Sequence, residues 1–425
     1  TQGYSSAASD VYKRQTYYMA NILDIHDCYG CGVCAIICSK KIIEIKLNND
    51  GFYEPFITDT NSCTNCGLCK EVCAYCHDVL STNNVPIKSY ASWSNDNEVR
   101  RKCSSGGIGF EIGRKLISRG YKVCGVKYNV ETNRAEHYIA NTVEELIPSI
   151  GSKYIQSYTV DGFKAINRKE KYLVTGTPCQ IDSFRRFIRK FRCEDNFVLM
   201  DFFCHGVPSM LAWNKYIKWA ETKVGKLTYV SWRNKFTGWH DSWAMSIDGE
   251  QTTNPVNWHD SYNILIKEKK GFLNSRLSQG DMFYKLFLSD VCLGKACYEK
   301  CKYKYNKSAA DIRIGDLWGN TYKDNEEGVS GVSIFTDKGL ETLNQCNITL
   351  KEHSFEIIAE GQMKKMPQKH SAYYKTMTLL RDEKNLLPEI MQKISSDLFI
   401  IKLCDRLKHP KRTLKGLIRR LNKKK

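Results

Sequence analysis

Two closely spaced cysteine runs between Cys28 and Cys73 constrain this chain more than any other feature. The first run reads Cys28-Tyr-Gly-Cys31-Gly-Val-Cys34-Ala-Ile-Ile-Cys38, and the second reads Cys63-Thr-Asn-Cys66-Gly-Leu-Cys69-Lys-Glu-Val-Cys73. Both runs have the spacing C-x2-C-x2-C-x3-C. Glycines inside the runs have no Cβ, so they let backbone amides approach a group held by the sulfur atoms. The chain must therefore fold so that two copies of one thiol-bearing loop come together.

The repeated spacing predicts two [4Fe–4S] clusters. In the bacterial two-cluster ferredoxin pattern, three cysteines of each run bind one cluster and the fourth binds the other. Disulfides within a run are disfavoured by Cα geometry, and zinc sites usually use two separated C-x2-C pairs. Proline normally follows the fourth cysteine, whereas Ser39 and Ala74 stand there in this chain. The predicted ligand sets are Cys28, Cys31, Cys34 and Cys73 for one cluster, and Cys63, Cys66, Cys69 and Cys38 for the other.

Length and composition are those of a globular protein with two or three domains. The chain has 425 residues, of which 42% are hydrophobic and 26% are charged. Its 19 cysteines are an odd number, and we expect no secretory leader, so a disulfide framework is not predicted. There is no run of 18 apolar residues to predict a membrane span, and we expect a cytoplasmic protein.

Positive charge is concentrated at the C-terminal end. The net charge is +18, and residues 401–425 contain eleven Lys or Arg and one Asp. The remainder is only mildly basic, so a nucleic-acid-binding body is not expected. The favoured interpretation of this tail is a frayed, solvated end. A second interpretation is peripheral docking to anionic lipid or to an acidic partner.

Four segments are predicted along the chain. Residues 1–18 show no periodicity and are expected to be a non-native or disordered extension, with Met19 as the true start. Residues 19–80 form the cluster module, with a strand, a tight turn and a strand between the cysteine runs. Residues 86–345 form a larger body of strands and helices. Residues 346–425 form a helical region with the basic tail, in which Pro410 and Gly416 break any continuous helix.

The body contains glycine-containing turns next to predicted strands and helices. Ser104-Ser105-Gly106-Gly107 precedes a helical stripe that closes at Gly120. Such a turn can bind an anion at the helix start, although a serine there is most often only a cap. The predicted strands Tyr172–Thr175 and Phe197–Asp201 lead to Cys179 and Cys204, which we expect to share one sheet edge. The alternative is that both cysteines are small buried core residues.

Three further cysteines follow a predicted short helix at residues 281–287. They are Cys292, Cys297 and Cys301, and a predicted strand and turn at Asp311–Gly319 comes after them. With Cys179 and Cys204 they offer five thiols to a third cluster. Their irregular spacing leaves zinc as an alternative.

Several of these stretches, in this order, resemble the beta subunit of coenzyme F-420-reducing hydrogenase and of F-420-dependent dehydrogenases. The closer resemblance is to bacterial members fused to a two-cluster ferredoxin, which often lie among polysaccharide-synthesis genes. The similar stretches, within roughly residues 20–345, are Ser104–Gly107, Gly151–Ser157, Gly176–Gln180, Cys204–Ser209, Phe236–Trp239, the Cys297/Cys301 region and Asp311–Gly319.

The resemblance implies an α+β protein with an N-terminal two-cluster ferredoxin-type module, a larger mixed α/β flavin-binding body and a helical C-terminal region. It also implies bound FAD and a third [4Fe–4S] cluster. The implied flavin contacts are Ser104, Ser105, Gly106, Gly107, Lys153, Gly176 and Thr177, and either Lys153 or His205 would stabilise negative charge on reduced flavin or make a structural contact. The implied third-cluster ligands are Cys179, Cys204, Cys297 and Cys301, with Cys292 in reserve. Cys297 and Cys301 form a C-x3-C where the resemblance leads us to expect C-x2-C.

The implied function is an iron–sulfur flavoprotein oxidoreductase. It would pass electrons between a hydride carrier (F-420-like or another), FAD and the clusters, because flavin converts between hydride and single electrons. The first alternative is a non-catalytic electron-transfer subunit that feeds a separate reductase, for example in polysaccharide biosynthesis. The second is an interaction protein with structural clusters. The expected partner is a redox protein or a hydride carrier, and no nucleic acid is expected.

Overall fold

The fold is known from a computed structural model that describes residues 21–82, 85–233, 235, 238–240, 245–251, 281–408 and 410. The predictions for residues 1–18, for Phe236 and Thr237, and for the basic tail beyond residue 410 lie outside the described residues. Most of the β-rich pattern predicted for residues 225–265 also lies outside them.

The strands of the described chain form one large sheet and two hairpins. They are β1 (Ile43–Leu47), β2 (Tyr53–Ile57), β3 (Lys88–Ser94), β4 (Lys122–Asn129), β5 (Arg134–Ala140), β6 (Ser157–Tyr158), β7 (Tyr172–Thr175), β8 (Phe197–Phe202), β9 (Leu227–Ser231), β10 (Ser246–Gly249), β11 (Ile312–Asp316), β12 (Ser330–Ile334) and β13 (Ile348–Glu352).

The described helices lie on both faces of the large sheet and at its C-terminal side. They are α1 (Val33–Ile37), α2 (Leu68–Glu71), α3 (Asn97–Lys102), α4 (Ile108–Ser118), α5 (Val143–Leu146), α6 (Val160–Lys164), α7 (Pro178–Lys190), α8 (Met210–Val224), α9 (Met282–Leu288), α10 (Lys295–Glu299), α11 (Asp337–Asn344), α12 (Phe355–Ile358), α13 (Ala372–Arg381), α14 (Leu387–Lys393) and α15 (Ser395–Lys408). Short 3-10 turns include Ala74–Cys76 and Ile147–Ser149.

The large sheet is mixed, with strand order β13-β3-β12-β11-β8-β7-β4-β5-β6. Its four central strands, β11, β8, β7 and β4, run parallel to one another. The segment Phe197–Met200 is continuously apolar and buried, as expected for a parallel strand covered on both faces. The parallel centre places the carboxyl ends of these strands at one edge, which is where α/β proteins bind ligands.

The two faces of the sheet are covered by different parts of the chain. On one face α4 packs with Ile108, Ile112 and Leu116 into the core. On the other face, α7 packs together with the N-terminal segment, including Ile22. The helix predicted from Ile108 to Gly120 is confirmed, and α7 begins three residues before the predicted Ile181 because Pro178 starts its first turn.

The N-terminal segment contains the predicted strand, turn and strand. β1 and β2 pair antiparallel, with Leu47 opposite Tyr53. The turn between them is held by Asn48, whose side-chain oxygen accepts hydrogen bonds from the amides of Asp50 and Phe52. This part of the secondary-structure prediction is confirmed.

The large sheet extends past residue 345, where the sequence predicted a change to helix. β13 pairs antiparallel with β3 at the edge of the sheet, with Leu350 opposite Ser92. Ile348 and Leu350 alternate with polar residues, and both pack against the core under the sheet. This two-residue period is that of a half-buried strand, and the helical region proper begins with α12.

Among the described residues, no helix is both long and apolar enough to cross a membrane.

Candidate functional site

A cavity of about 830 Å³ opens at the carboxyl edge of the central parallel strands. Residues that end β7, β8 and β11, and the loops after them, line it. Its volume is within the range of small-molecule and cofactor pockets, roughly 300–1,000 Å³. Of the predicted flavin contacts, the cavity is lined by Ser104, Ser105, Gly107, Lys153, Gly176, Thr177 and His205, and the predicted cluster ligand Cys204 also lines it. The structure thus brings stretches from distant parts of the sequence to one site.

The Ser104–Gly107 loop is shaped by its two glycines in different ways. Gly107 is in the left-handed region (φ 88°) and caps the start of α4. Gly106 does not line the cavity and instead packs between β3 and β12. A Cβ at Gly106 would lie 2.4 Å from the carbonyl oxygen of Ser92, and its amide donates to Ser330 Oγ at 3.0 Å. Only glycine fits this close approach, so the loop position depends on it.

The start of α4 faces the cavity. Ile108 and Gly109, its first residues, both line the cavity, and no side chain caps the helix start. The two serines of the loop are held from behind, since Ser105 Oγ donates to the carbonyl of Val329 at 2.9 Å and Ser104 Oγ accepts from the amide of Ser152 at 3.1 Å. A helix start with unpaired amides attracts anions, and the anion site predicted here stays a prediction.

Lys153 lies in the cavity wall with its ammonium turned into the protein. Its Nζ donates to three carbonyl oxygens, those of Pro148, Ser149 and Ile150, at 2.9–3.1 Å. Burial lowers the pKa of Lys153 to about 7. Because these bonds use all three N–H groups, Lys153 would have to exchange one of them to contact a ligand.

The turn after β7 is fixed by the first residues of α7. The Thr177 amide donates to Gln180 Oε1 at 2.9 Å, and the Gln180 side chain in turn donates to Ser157 Oγ at 3.1 Å. Thr177 Oγ1 lies 3.2 Å from the sulfur of Cys179. Gly176 and Thr177 therefore present the cavity with a turn whose geometry is set by a capping bond.

The four predicted third-cluster ligands, which we call the body thiols, lie together at this edge. The parallel pairing of β7 and β8 confirms the predicted shared edge for Cys179 and Cys204, and α10 brings Cys297 beside them. Burial raises the pKa of Cys179, and the neighbouring thiols of Cys204, Cys297 and Cys301 raise it further. Buried sulfurs that perturb one another in this way are close enough to share a bound group.

Lys304 supplies positive charge beside the body thiols. Its ammonium donates to the carbonyl oxygens of Cys204 and His205, the latter at 2.9 Å. Burial raises the pKa of Cys204, and the charge of Lys304 opposes that increase. A nearby cation of this kind favours the thiolate form that binds metal.

Cys292, the reserve ligand, lies apart from the body thiols. It is fully buried in the hydrophobic core formed by α8 and α9. Burial raises its pKa to about 12, and the groups that perturb it further are Ser209 and Asp290 rather than other thiols. Its surroundings are those of a small core residue.

His205 lines the cavity but is held by a carboxylate partner. Its Nε2 lies 2.7 Å from Asp290 Oδ1, and its ring meets Phe287 edge-on at a centroid distance of 4.8 Å. This pairing orients the imidazole ring.

The N-terminal cysteines form two groups that follow the predicted assignment in part. Cys28, Cys31, Cys34 and Cys73, which we call the inner thiols, are close together. Burial raises the pKa of Cys34, and so do the thiols of Cys31, Cys73 and Cys28. We call Cys38, Cys63, Cys66 and Cys69 the outer thiols. Cys66 perturbs the pKa of Cys69 and is exposed, whereas Cys38 and Cys63 pack at the edge of one hydrophobic cluster.

The two cysteine runs share one backbone conformation. Gly32 (φ 72°, ψ −5°) and Gly67 (φ 77°, ψ −9°) occupy equivalent places and start α1 and α2. This left-handed conformation favours glycine. The amide of Gly30 donates to Cys28 Sγ at 3.3 Å, a bond of the kind that tunes cluster sulfurs. The loops therefore fit the group predicted for them, although in the described part of the chain no three His, Cys, Asp or Glu side chains surround a single ion position.

The residue after the second cysteine run anchors the N-terminal segment to the body. Ala74 stands where proline is usual, and its amide donates to the buried Ser183 Oγ of α7 at 3.0 Å. Thr159 Oγ1 donates to the carbonyl of Cys31 at 2.8 Å. Proline has no N–H, so the departure from the usual pattern is explained by a contact between the two parts.

Tyr29 connects the inner thiols with the body thiols. It follows Cys28 in the chain, and its hydroxyl donates to the carbonyl of Lys300, the residue before Cys301. Its ring contacts Tyr75 at 5.3 Å and Tyr303 at 5.9 Å between centroids. Burial raises the pKa of Tyr29, and the thiols of Cys179, Cys301 and Cys297 raise it further. Tyr29 therefore lies between the two predicted ligand sets.

Sequence reasoning did not single out the buried charges beneath the cavity. Asp201 accepts two hydrogen bonds from the guanidinium of Arg313, at 2.7 and 2.8 Å, and both side chains are fully buried. Arg313 also donates to the carbonyl of Tyr305, which fixes the loop after Cys301. The available signal was charged residues inside two otherwise apolar strands.

The aromatic wall of the cavity was also missed. Trp318 lines the cavity and stacks on Trp239 with centroids 5.2 Å apart and an interplanar angle of 8°. Trp239 Nε1 donates to Asp316 Oδ1 at 3.0 Å, and Arg233 pairs with the same carboxylate. Both tryptophans belong to stretches noted in the sequence, but only packing brings them together.

Comparisons with known proteins place part of the chain in a family. Residues 169–356 match the family model that describes the C terminus of the beta chain of coenzyme F-420 hydrogenase/dehydrogenase. The chain is 30% identical over 123 residues to coenzyme F-420 hydrogenase subunit beta of Methanococcus voltae, a match that covers 26% of this chain and 42% of that protein. The chain thus spans less than half the length of that curated relative.

A solved structure also resembles the chain. It is the xenon-derivatised F-420-reducing [NiFe] hydrogenase complex from Methanosarcina barkeri, at 15% identity and a TM-score of 0.40. The similarity covers 74% of this chain and 92% of the matched chain.

Proposed function

We propose, from the premise that the chain belongs through residues 169–356 to the coenzyme F-420 hydrogenase/dehydrogenase beta-subunit family, that it is an iron–sulfur flavoprotein oxidoreductase. One observation carries the proposal: Cys204 belongs both to the cavity wall and to the body thiols. A flavin bound in the cavity would therefore be next to the residues expected to hold a cluster. When bound, flavin supplies the exchange between hydride and single electrons.

The residues of the cavity suit an anionic, partly aromatic ligand. The start of α4 offers unpaired amides to a phosphate, and Gly106 lets the Ser104–Gly107 loop pack close to the sheet. Trp318 offers an aromatic face to a ring. Lys153 and His205 are already paired with protein groups, so we assign them the role of holding the wall rather than of binding charge directly.

The body thiols suit a [4Fe–4S] cluster despite the C-x3-C spacing. α10 carries Cys297 and ends at Glu299, so the chain leaves the helix before Cys301. The longer spacing is thus absorbed by the non-helical residues 300–301, and both sulfurs still perturb Cys179. The charge of Lys304 favours thiolates at this position.

The N-terminal segment supplies a route for electrons to leave the body. The inner thiols face the body across Tyr29, and the outer thiols lie further out, with Cys66 exposed. A cluster at the outer thiols would then be the port to a separate redox protein. This arrangement also accommodates the alternative of a subunit that only transfers electrons, because it needs the same port.

The test is anaerobic turnover. Protein purified without oxygen is mixed in turn with reduced F-420, NADH and reduced ferredoxin, and bleaching of the flavin and cluster absorbance is followed. We expect one of the hydride donors to reduce the protein. Full clusters without bound flavin, or reduction by ferredoxin alone, would favour the electron-transfer subunit instead.

A further inference from the structure

The last described helix, α15, presents an apolar face to solvent. Phe399, Leu403 and Leu407 recur every four residues, so they lie on one face, with Ile400 beside them. Their exposed fractions are 63%, 43%, 71% and 55% in that order. We call these four side chains the apolar stripe. Large side chains left exposed together mark a surface that binds something apolar.

The opposite face of α15 explains why the stripe points outward. Leu398 is buried and Ile401 packs against the same core, which also contains Ile394 at the end of α14. The helix is therefore fixed by its own inner face. Turning the stripe inward would expose these buried residues, so the orientation is part of the fold.

Positive charge borders the stripe. Lys402, Arg406 and Lys408 are exposed on the same helix. Of its two acidic residues, Asp397 is paired with Lys375 at 2.8 Å, and Asp405 is the other. The sequence beyond the helix adds Lys411, Arg412, Lys415, Arg419, Arg420 and Lys423–Lys425, with no acidic residue.

We propose that α15 docks the protein on an anionic lipid surface, with the apolar stripe entering the interface and the basic residues contacting lipid headgroups. A helix with one exposed apolar face and a Lys/Arg-rich border is the form that lies in the plane of a membrane interface. Clustered basic residues add attraction to anionic leaflets. The stripe contains only Phe, Ile and Leu, which suits a fluid apolar layer rather than a partner that must be matched by hydrogen bonds.

The experiment is flotation of the full, anaerobically purified chain with lipid vesicles. We expect binding to phosphatidylcholine vesicles that contain phosphatidylglycerol, and much weaker binding to phosphatidylcholine alone. Raising the salt from about 50 mM to about 500 mM should weaken binding, because screening acts on the charge contribution. Equal binding to both vesicles, or no binding to either, would overturn the proposal.

Matched variants separate the stripe from general stickiness. Phe399→Ser with Leu403→Ser should lower vesicle binding by about tenfold or more. Phe56→Ser is the control, since Phe56 is 56% exposed but lies on β2, and it should bind as the parent does. Arg406→Gln with Lys408→Gln should weaken binding and reduce its dependence on salt.

Two other occupants of the stripe are outcomes of the same test. If the parent is a dimer in solution and the stripe variant is a monomer, a second copy covers the stripe and the lipid proposal fails. If binding to anionic vesicles persists in the stripe variant, charge alone is responsible and the proposed role of α15 is wrong. Neither result depends on whether the cavity binds flavin.

Discussion

The hydroxyl of Tyr29 donates a hydrogen bond to the backbone carbonyl of Lys300, although 271 positions separate the two residues in the sequence. Tyr29 follows Cys28, and Lys300 precedes Cys301. One side chain therefore links the loop of the inner thiols with the loop of the body thiols. If both loops hold clusters, electrons would cross between the N-terminal segment and the body at this contact.

Changes at Tyr29 should slow electron exchange between the two parts. Tyr29→Leu removes the ring that contacts Tyr75 and Tyr303, whereas Tyr29→Phe keeps the ring and loses one hydrogen bond, worth about 1 kcal/mol. After rapid reduction, freeze-quench EPR should show the clusters of the N-terminal segment filling more slowly in the Leu variant than in the Phe variant. Phe56→Leu, remote from the contact, should match the parent. Equal rates in all four proteins would rule out a role for the ring.

Restoring proline at position 74 should weaken the attachment of the N-terminal segment. Ala74→Pro removes the N–H that bonds to buried Ser183, and we expect a loss of about 1–3 kcal/mol in the free energy of unfolding. The preceding residue, Cys73, is already extended (φ −82°, ψ 107°), so proline fits the backbone. Urea unfolding measures the loss.

Ser39→Pro is the matched control for that change. Ser39 follows the other cysteine run and is exposed, and Cys38 before it has nearly the same backbone angles, φ −69° and ψ 107°. It is the second residue of a turn closed by the Lys41 amide and the Cys38 carbonyl, where proline is favoured. We expect a change within about 0.5 kcal/mol. Equal destabilisation by both variants would contradict the account of Ala74.

Two cysteine substitutions should separate a ligand from a core residue. Cys301→Ser should lower the iron content by about four atoms per chain, the content of one cluster. Cys292→Ser changes a thiol that lies in the hydrophobic core away from the body thiols, so iron content should stay at the parent value. Iron analysis of the anaerobic proteins decides. A loss of iron in the Cys292 variant and none in the Cys301 variant would reverse the assignment.

A methyl group at Gly106 should displace the loop that borders the cavity. The new Cβ would lie 2.4 Å from the Ser92 carbonyl oxygen, a contact that the backbone must move to relieve. We expect Gly106→Ala to lower bound flavin while the iron content is retained, as measured by absorbance and extraction. Gly120→Ala, at the other end of α4 with open space around it, should keep its flavin at the cost of some backbone strain. Full flavin in the Gly106 variant would remove this loop from the site.

His137 should make stability depend on pH below neutrality. Its ring bonds to the Thr175 carbonyl at 2.9 Å, and burial lowers the pKa of His137 from 6.5 to about 4. The unfolded chain therefore binds more protons between pH 4 and 6.5, so stability rises as pH increases through this window, by up to about 3 kcal/mol.

The matched variant for this pH effect is His137→Gln, which can still donate to Thr175 but does not titrate. The difference in unfolding midpoint between parent and variant should change with pH from about 5 to 6.5 and level off above that range. Parallel curves across the window would show that His137 does not titrate as a buried neutral ring.

Local spacing was enough to predict some of the site. The inner thiols come together much as the two-cluster pattern requires, because the ligands are close in sequence and their loops repeat. The parallel strands β7 and β8 could also be predicted, since both are apolar runs ending in turns. Those two strands alone predict that Cys179 and Cys204 share one edge of the sheet.

The remainder depends on contacts that no local pattern contains. Cys292 and Cys297 follow the same helix, and only packing shows that the first lies in the core. The Tyr29–Lys300 bond and the Asp201–Arg313 pair each join residues more than a hundred positions apart. β13 was missed because a two-residue period over five residues was outweighed by the helical pattern that follows it.

The most direct test of the account is the iron, sulfide and flavin content of anaerobically purified protein. Three [4Fe–4S] clusters and one flavin predict about twelve iron, about twelve sulfide and about one flavin per chain. About eight iron without flavin would mean that the body holds neither group, and it would contradict the assignment of the cavity and the body thiols.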